Sequence, residues 1–154
     1  MSRTKRILLV LAVLLVAIQF IPSAPNQNGQ MDKSDISVAY NAPKGIQAIL
    51  TESCYDCHSN NTIYPWYSKI QPVRLFLDHH IEEGKENLNF SEFGSYSLRR
   101  QGNKLRAIGN SISEGTMPIR SYTLIHRNSR LSREEKNVLL KWIEVKKDSI
   151  SNLQ

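Results

Sequence analysis

Cys54 and Cys57 are the only two cysteines in this chain of 154 residues, and His58 follows the second directly. Two cysteines exclude a disulfide-dense scaffold and a four-cysteine zinc site. The fold must then rest on a packed core, which 40% hydrophobic and 22% charged residues can supply. The length suits one modest domain. Residues three and four apart on a helix share a face, so Cys54, Cys57 and His58 present two thiols and an imidazole to one side.

Two thiols at that spacing reach the two vinyl groups on one edge of a porphyrin and form thioethers, with the imidazole beneath the iron. Cys-x-x-Cys-His is accordingly the attachment pattern for c-type haem. Three other readings compete. A disulfide or redox-active pair fits an oxidising compartment, but the βαβ context of thioredoxin-like proteins is missing. A Cys₂His₂ zinc site would draw on His58, His79, His80 and His126, and the adjacent His79 and His80 cannot both point inward from one helix. The third is a pair of free buried thiols, which suits the cytoplasm rather than an exported chain.

The N-terminus bears on the compartment. Arg3, Lys5 and Arg6 precede an apolar run from Ile7 to Ile21 that only Gln19 interrupts. A basic start before such a run is an export pattern, because positive charge stays on the cytoplasmic side. As a helix the run spans about 22 Å against a hydrocarbon core of about 30 Å, a length that suits a cleaved signal. Pro22 spoils cleavage after Ala24, which favours an uncleaved anchor through residues 7–21. No cysteine follows the run to carry a lipid. The three basic residues supply half of the net charge of +6, and no basic block occurs elsewhere. Nothing points to nucleic acid.

The chain divides into a signal or anchor at 1–24, a polar tether at 25–43, a domain at 44–147 and a tail at 148–154. Ile46, Ile49 and Leu50 lie at helical spacing and lead into the cysteine motif. A second helix is expected over 72–85, with Pro72 in its first turn, Val73, Phe76, Leu77 and Ile81 as apolar positions, and Gly84 weakening its end. A loop with aromatic anchors covers 88–96. A third helix runs over 98–114 on Leu105, Ile108 and Ile112, stopped by Gly115 and weakened by Gly102 and Gly109. The last helix opens with a Ser132-x-x-Glu135 capping box and carries the stripe Val138, Leu139, Trp142 and Ile143. The class is all-α, with about four helices after the N-terminal apolar helix.

A haem iron needs a partner opposite His58. Methionine is common there in electron-carrying cytochromes c. Met1 lies in the signal and Met31 in the tether, which leaves Met117, in the irregular loop Glu114-Gly115-Thr116-Met117-Pro118. The alternative is that Met117 fills a gap in the core, and His126, His79 and His80 are rival ligands. The other nitrogen of His58 requires an acceptor, expected to be a backbone carbonyl near Pro65 or Pro72. Trp66, Tyr67 and Phe76 are candidates to wall the ring, and Arg74 or Arg120 to neutralise its propionates.

Cys54 to Asn60, Tyr64-Pro65-Trp66-Tyr67, Asn87 to Glu92, Glu114 to Pro118 and Ser121 to His126 together resemble the small haem-binding domain family of bacterial exported cytochromes, over residues 44–146. The resemblance implies a compact, cytochrome c-like helical domain with one covalent haem c per chain. Phe93 replaces an expected Trp, and Arg99-Arg100-Gln101-Gly102 is unusually basic. The expectation is an electron carrier rather than a catalyst. It would lie on the periplasmic side of a bacterial inner membrane, anchored or secreted, and serve a redox partner protein of unknown identity. The alternative is a haem-based sensor or small-ligand-binding module with an open sixth iron position.

Overall fold

The computed structural model describes residues 2–28 and 32–152. Met1 and Met31, and the last two residues of the expected tail, lie outside that range. Among the described residues eight α-helices succeed one another: α1 Arg3–Ile18, α2 Ile36–Ala39, α3 Lys44–Ser53, α4 Tyr55–His58, α5 Val73–Asn87, α6 Leu98–Glu114, α7 Arg120–Ile125 and α8 Arg133–Ser151. Short 3₁₀ turns cover Trp66–Lys69, Phe90–Ser95 and Arg127–Ser129. Among the described residues there is no strand, only an isolated bridge between Gln27 and Asn61. The all-helical class is as expected. The helix count exceeds four because α2, α4 and α7 are only four to six residues long, too short for periodicity to reveal them.

The frame of the domain is α6 packed on α8. Ser97 caps α6 by accepting from the Arg100 N–H at 3.3 Å, and Gly115 ends it at φ 71°, a left-handed conformation that glycine adopts without steric cost. Leu105 and Ile112 are buried against the α8 face formed by Leu139, Ile143 and Ile150. Side chains of that face also lie over Gly102 and Gly109. Each fully buried leucine or isoleucine contributes roughly 1.5–3 kcal/mol relative to exposure. The capping box of α8 is complete, with Ser132 and Glu135 each bonded to the other's backbone N–H. Two expectations for α8 need correction. Val138 is 48% exposed rather than part of the stripe, and the helix runs past residue 147, with Ile150 buried in the core instead of lying in a tail.

Of the expected tether, residues 25–28 and 32–43 are tied to the domain, and residues 29–31 lie outside the described range. Asn26 and Asn28 bond to the segment Ser59–Thr62, and α2 packs its Ile36 into the core. Asp35 caps α2 by accepting from the Ser37 N–H at 2.8 Å and also accepts from the Tyr55 hydroxyl at 2.7 Å. The segment reads as polar because its buried polar groups, Asp35 and Ser37, satisfy one another and Tyr55. The aromatic 88–96 segment folds into a 3₁₀ turn with Phe90 and Phe93 fully buried. Phe93 contacts Tyr40 edge-on at 5.8 Å, so it fills the core where a larger ring was expected.

The N-terminal apolar segment is helical from Arg3 to Ile18 and buries none of its side chains. No helix among the described residues is long and apolar enough to cross a membrane. An anchor through residues 7–21 therefore finds no spanning helix.

Candidate functional site

The cysteine motif sits where two helices meet. α3 stops at Ser53, and Cys54, at φ −133° and ψ −39°, breaks the helix before α4 begins. The Cys54 carbonyl then accepts from the N–H groups of Cys57 at 3.3 Å and His58 at 3.0 Å. This turn keeps both thiols and the imidazole on one side. Tyr55, stacked on Phe90 with ring centroids 5.5 Å apart and tied to Asp35, pins the turn to the core from behind.

Cys54, Cys57, His58 and Met117 all line one cavity of about 350 Å³, closed on the Met117 side by Pro118, Ile119 and Tyr122. A second lobe of about 240 Å³ shares Cys54, His58 and Met117 with it and is walled by Phe90, Ile108, Ile112 and Leu131. The apolar walls come from α6 and the 3₁₀ turn at Phe90. The expected walls do not line it: Trp66 is 76% exposed, Phe76 faces His80 from an exposed position, and Tyr67 turns toward His126. Each lies on a segment whose other face meets the core, so aromatic content alone did not reveal direction.

α5 fixes the orientation of His58. Its Nδ1 lies 2.9 Å from the Gly84 carbonyl and 3.1 Å from the Leu88 carbonyl. With Nδ1–H donating to these acceptors, Nε2 keeps its lone pair for a metal. The acceptors lie at the end of α5, not near Pro65 or Pro72 as expected. Gly84 makes this contact possible. A Cβ placed there would sit 2.7 Å from the Cys57 carbonyl oxygen, so the residue read as a weak helix end is a point of close approach inside α5.

Met117 follows the left-handed Gly115, and its N–H and that of Thr116 both donate to the Ser111 carbonyl. The loop thus brings the side chain, 41% exposed, into the lining of the cavity that holds His58.

Burial pushes both thiols up, Cys54 to about 12 and Cys57 to about 11, with neighbouring charge adding to each. Both are therefore protonated at neutral pH. A redox-active pair needs the opposite, a thiolate stabilised at ordinary pH. The two cysteines are not joined. Among the described residues no group of three or more His, Cys, Asp or Glu is arranged to hold a metal ion, which removes support from the zinc reading.

The other histidines separate cleanly. His126 does not line the cavity: it stacks on Tyr122 at 4.4 Å, and its Nε2 shares a hydrogen bond with the Tyr67 hydroxyl. His79 faces outward and pairs with Glu83 at 3.5 Å. His80 reaches the cavity rim, with Nδ1 held by the Phe76 carbonyl of its own helix. Arg74 is committed to Asp78 and the Tyr64 ring, so it does not serve the cavity. Arg120 lies in a neighbouring groove with Met117, Arg130 and Lys136. Sequence reading missed Lys104, which lines the second lobe and donates to the Asn87 carbonyl. It also missed Asp56, which accepts from the Tyr122 hydroxyl at 2.6 Å and the Ile63 N–H at 2.9 Å. That pairing and burial raise the Tyr122 phenol. Lys104 belongs to no spaced motif, and Asp56 fills an unspecified position between the two cysteines, so only the folded chain reveals their contacts.

The site suits a flat, largely apolar group with a metal at its centre. The cavity has apolar walls and two thiols at one edge. An imidazole oriented by backbone acceptors and a thioether on an irregular loop both line it. A family model described as a haem-binding domain matches residues 13–145. No curated protein and no solved structure matches the chain.

Proposed function

The chain belongs to the haem-binding domain family, and from that premise we propose that it is a monohaem c-type cytochrome, an exported one-electron carrier. Cys54 and Cys57 would hold haem c covalently through thioethers, one per chain. His58 would bind the iron through Nε2 and Met117 through its sulfur. The observation that carries this reading is that these four residues line one cavity while two backbone carbonyls engage Nδ1 of His58.

When bound, haem supplies an iron that passes between ferrous and ferric states and so carries one electron. The residues of this chain shape that chemistry. The Gly84 and Leu88 carbonyls keep Nδ1–H donated and raise the basicity of Nε2. Met117, as a thioether ligand, would favour the ferrous state and raise the potential. Phe90, Ile108, Ile112 and Leu131 would cover an apolar face of the group in the second lobe, and Lys104 would offer positive charge to the propionates. Export is supported by Arg3, Lys5 and Arg6 ahead of the apolar run. The site would then work on the periplasmic side, with a redox protein as partner.

One observation favours the second reading, a sensor or ligand-binding module: Met117 is 41% exposed on a loop without regular structure, a setting from which a thioether is readily displaced. Carbon monoxide separates the two. The carrier reading expects the reduced protein to refuse it, and expects Met117→Ala to bind it and to lower the potential. Ready binding by the unaltered protein, or an unchanged potential in Met117→Ala, would remove Met117 from the iron.

A further inference from the structure

We propose that Asn26, in the extended segment between the N-terminal helix and α2, is a positioning residue that locks His58 against its backbone acceptors. The inference rests on His58 being the iron ligand.

Asn26 uses every polar atom it has. Its backbone N–H donates to the Tyr64 hydroxyl at 2.8 Å, and its backbone carbonyl accepts from the Thr62 N–H at 2.8 Å. The side-chain amide donates to the Ser59 carbonyl at 2.8 Å and to Thr62 Oγ1 at 2.9 Å, while Oδ1 accepts from Lys85 Nζ at 2.7 Å. Ser59 directly follows His58, and Lys85 directly follows Gly84, whose carbonyl is one of the two His58 acceptors. One side chain therefore ties the exit of the haem motif to the turn of α5 that orients its imidazole.

The tie reaches further. Thr62 Oγ1 donates to the Asp56 carbonyl at 2.7 Å, which places Asn26 one hydrogen-bonded residue away from the backbone between the two cysteines. Tyr64, held by Asn26, donates to Asp78 of α5. Ser59 and Thr62 are both buried. Buried polar groups left without partners are costly; Asn60 is also held by Ser91 and Asn89, whereas Asn26 supplies the side-chain donor to the Ser59 carbonyl beside His58. Any removal of the leader must consequently leave Asn26 in the chain.

The test is solvent exchange of the His58 Nδ1–H proton, followed by NMR in the full chain. The variants are Asn26→Ala, Asn26→Asp and the neighbouring Gln27→Ala, with the Leu139 amide in α8 as an internal gauge of global opening. Exchange of the ring proton should be at least tenfold faster in Asn26→Ala with the Leu139 amide unmoved. It should be intermediate in Asn26→Asp, which keeps an acceptor for Lys85 but has no donor for Ser59 or Thr62, and unchanged in Gln27→Ala. A ring proton that exchanges at the wild-type rate in Asn26→Ala, or only in step with the Leu139 amide, overturns the proposal; Asn26→Asp decides alone if the alanine variant does not fold. The ring proton can be followed with or without covalent haem, so a chain that fails to take haem would count against the proposed function without deciding this one.

Discussion

The residue that most directly controls the site is the one with no side chain. A Cβ at position 84 would meet the Cys57 carbonyl oxygen at 2.7 Å, a distance backbone atoms relieve only by moving apart. Gly84→Ala should cost about 1–3 kcal/mol, the usual range for overpacking, read as a lower midpoint in thermal or denaturant unfolding. It should also lengthen the His58 contact with the Gly84 carbonyl. Unchanged stability would mean that α5 sits looser on the motif than the geometry implies. The cysteine motif and Met117 stand out as candidates in the sequence because their signals are local: a fixed spacing in one case, a lone methionine beside a glycine stop in the other. The acceptors of His58 were not legible, because Gly84 and Leu88 lie 26 and 30 residues downstream and meet it only once α5 packs. The same holds for Asn26, whose partners span residues 59 to 85 and whose own surroundings in sequence are unpatterned.

At the scale of elements, long amphipathic helices declared themselves and short ones did not. α6 spans Leu98–Glu114 as its apolar spacing and glycine stop indicate, and α8 begins at its capping box. Their stripes are long enough for periodicity to show. α2 and α7 escaped because one turn of helix carries no period, and Asp35 and Ser37 look like solvent-facing residues although both are buried. The α8 cap gives a pH-dependent prediction. Hydrogen bonds from the Ser132 side chain and backbone hold the Glu135 carboxyl below the usual carboxylate range. A group with a lowered folded-state value contributes stability above its unfolded value and loses it as pH falls through the folded one. Ser132→Ala should therefore cost about 1 kcal/mol at neutral pH. That difference from wild type should shrink as the pH falls below the ordinary carboxylate value, an outcome that urea titrations at two pH values check. A constant difference would place the cap's worth in the serine alone.

For the whole molecule, the N-terminal helix meets the core at one point, where Gln19, just past it, exchanges two hydrogen bonds with the backbone of the buried Gln71. α1 buries no side chain, whereas the segment that follows it is woven into the site through Asn26. A chain begun at Pro25, which loses only the Gln19–Gln71 pair, should unfold slightly below the full chain, and one begun at Asp32 should unfold several degrees lower still. Equal losses from both truncations would show that α1 supports the domain. The polar stretch after the leader looked like a tether because hydrophobic pattern is blind to a segment held by hydrogen bonds. The all-helical class, by contrast, followed from patterning that a core of Leu105, Leu139 and Phe93 then satisfies.

The central claim is that Cys54 and Cys57 carry haem covalently beside His58. It is tested by the pyridine haemochrome spectrum of the chain, produced with an export route and cytochrome c maturation and then extracted with acid–acetone. The account predicts a c-type spectrum that stays with the protein and is lost to the solvent phase in Cys54→Ser/Cys57→Ser. Colourless protein, or colour that acid–acetone removes from the unaltered chain, would contradict it.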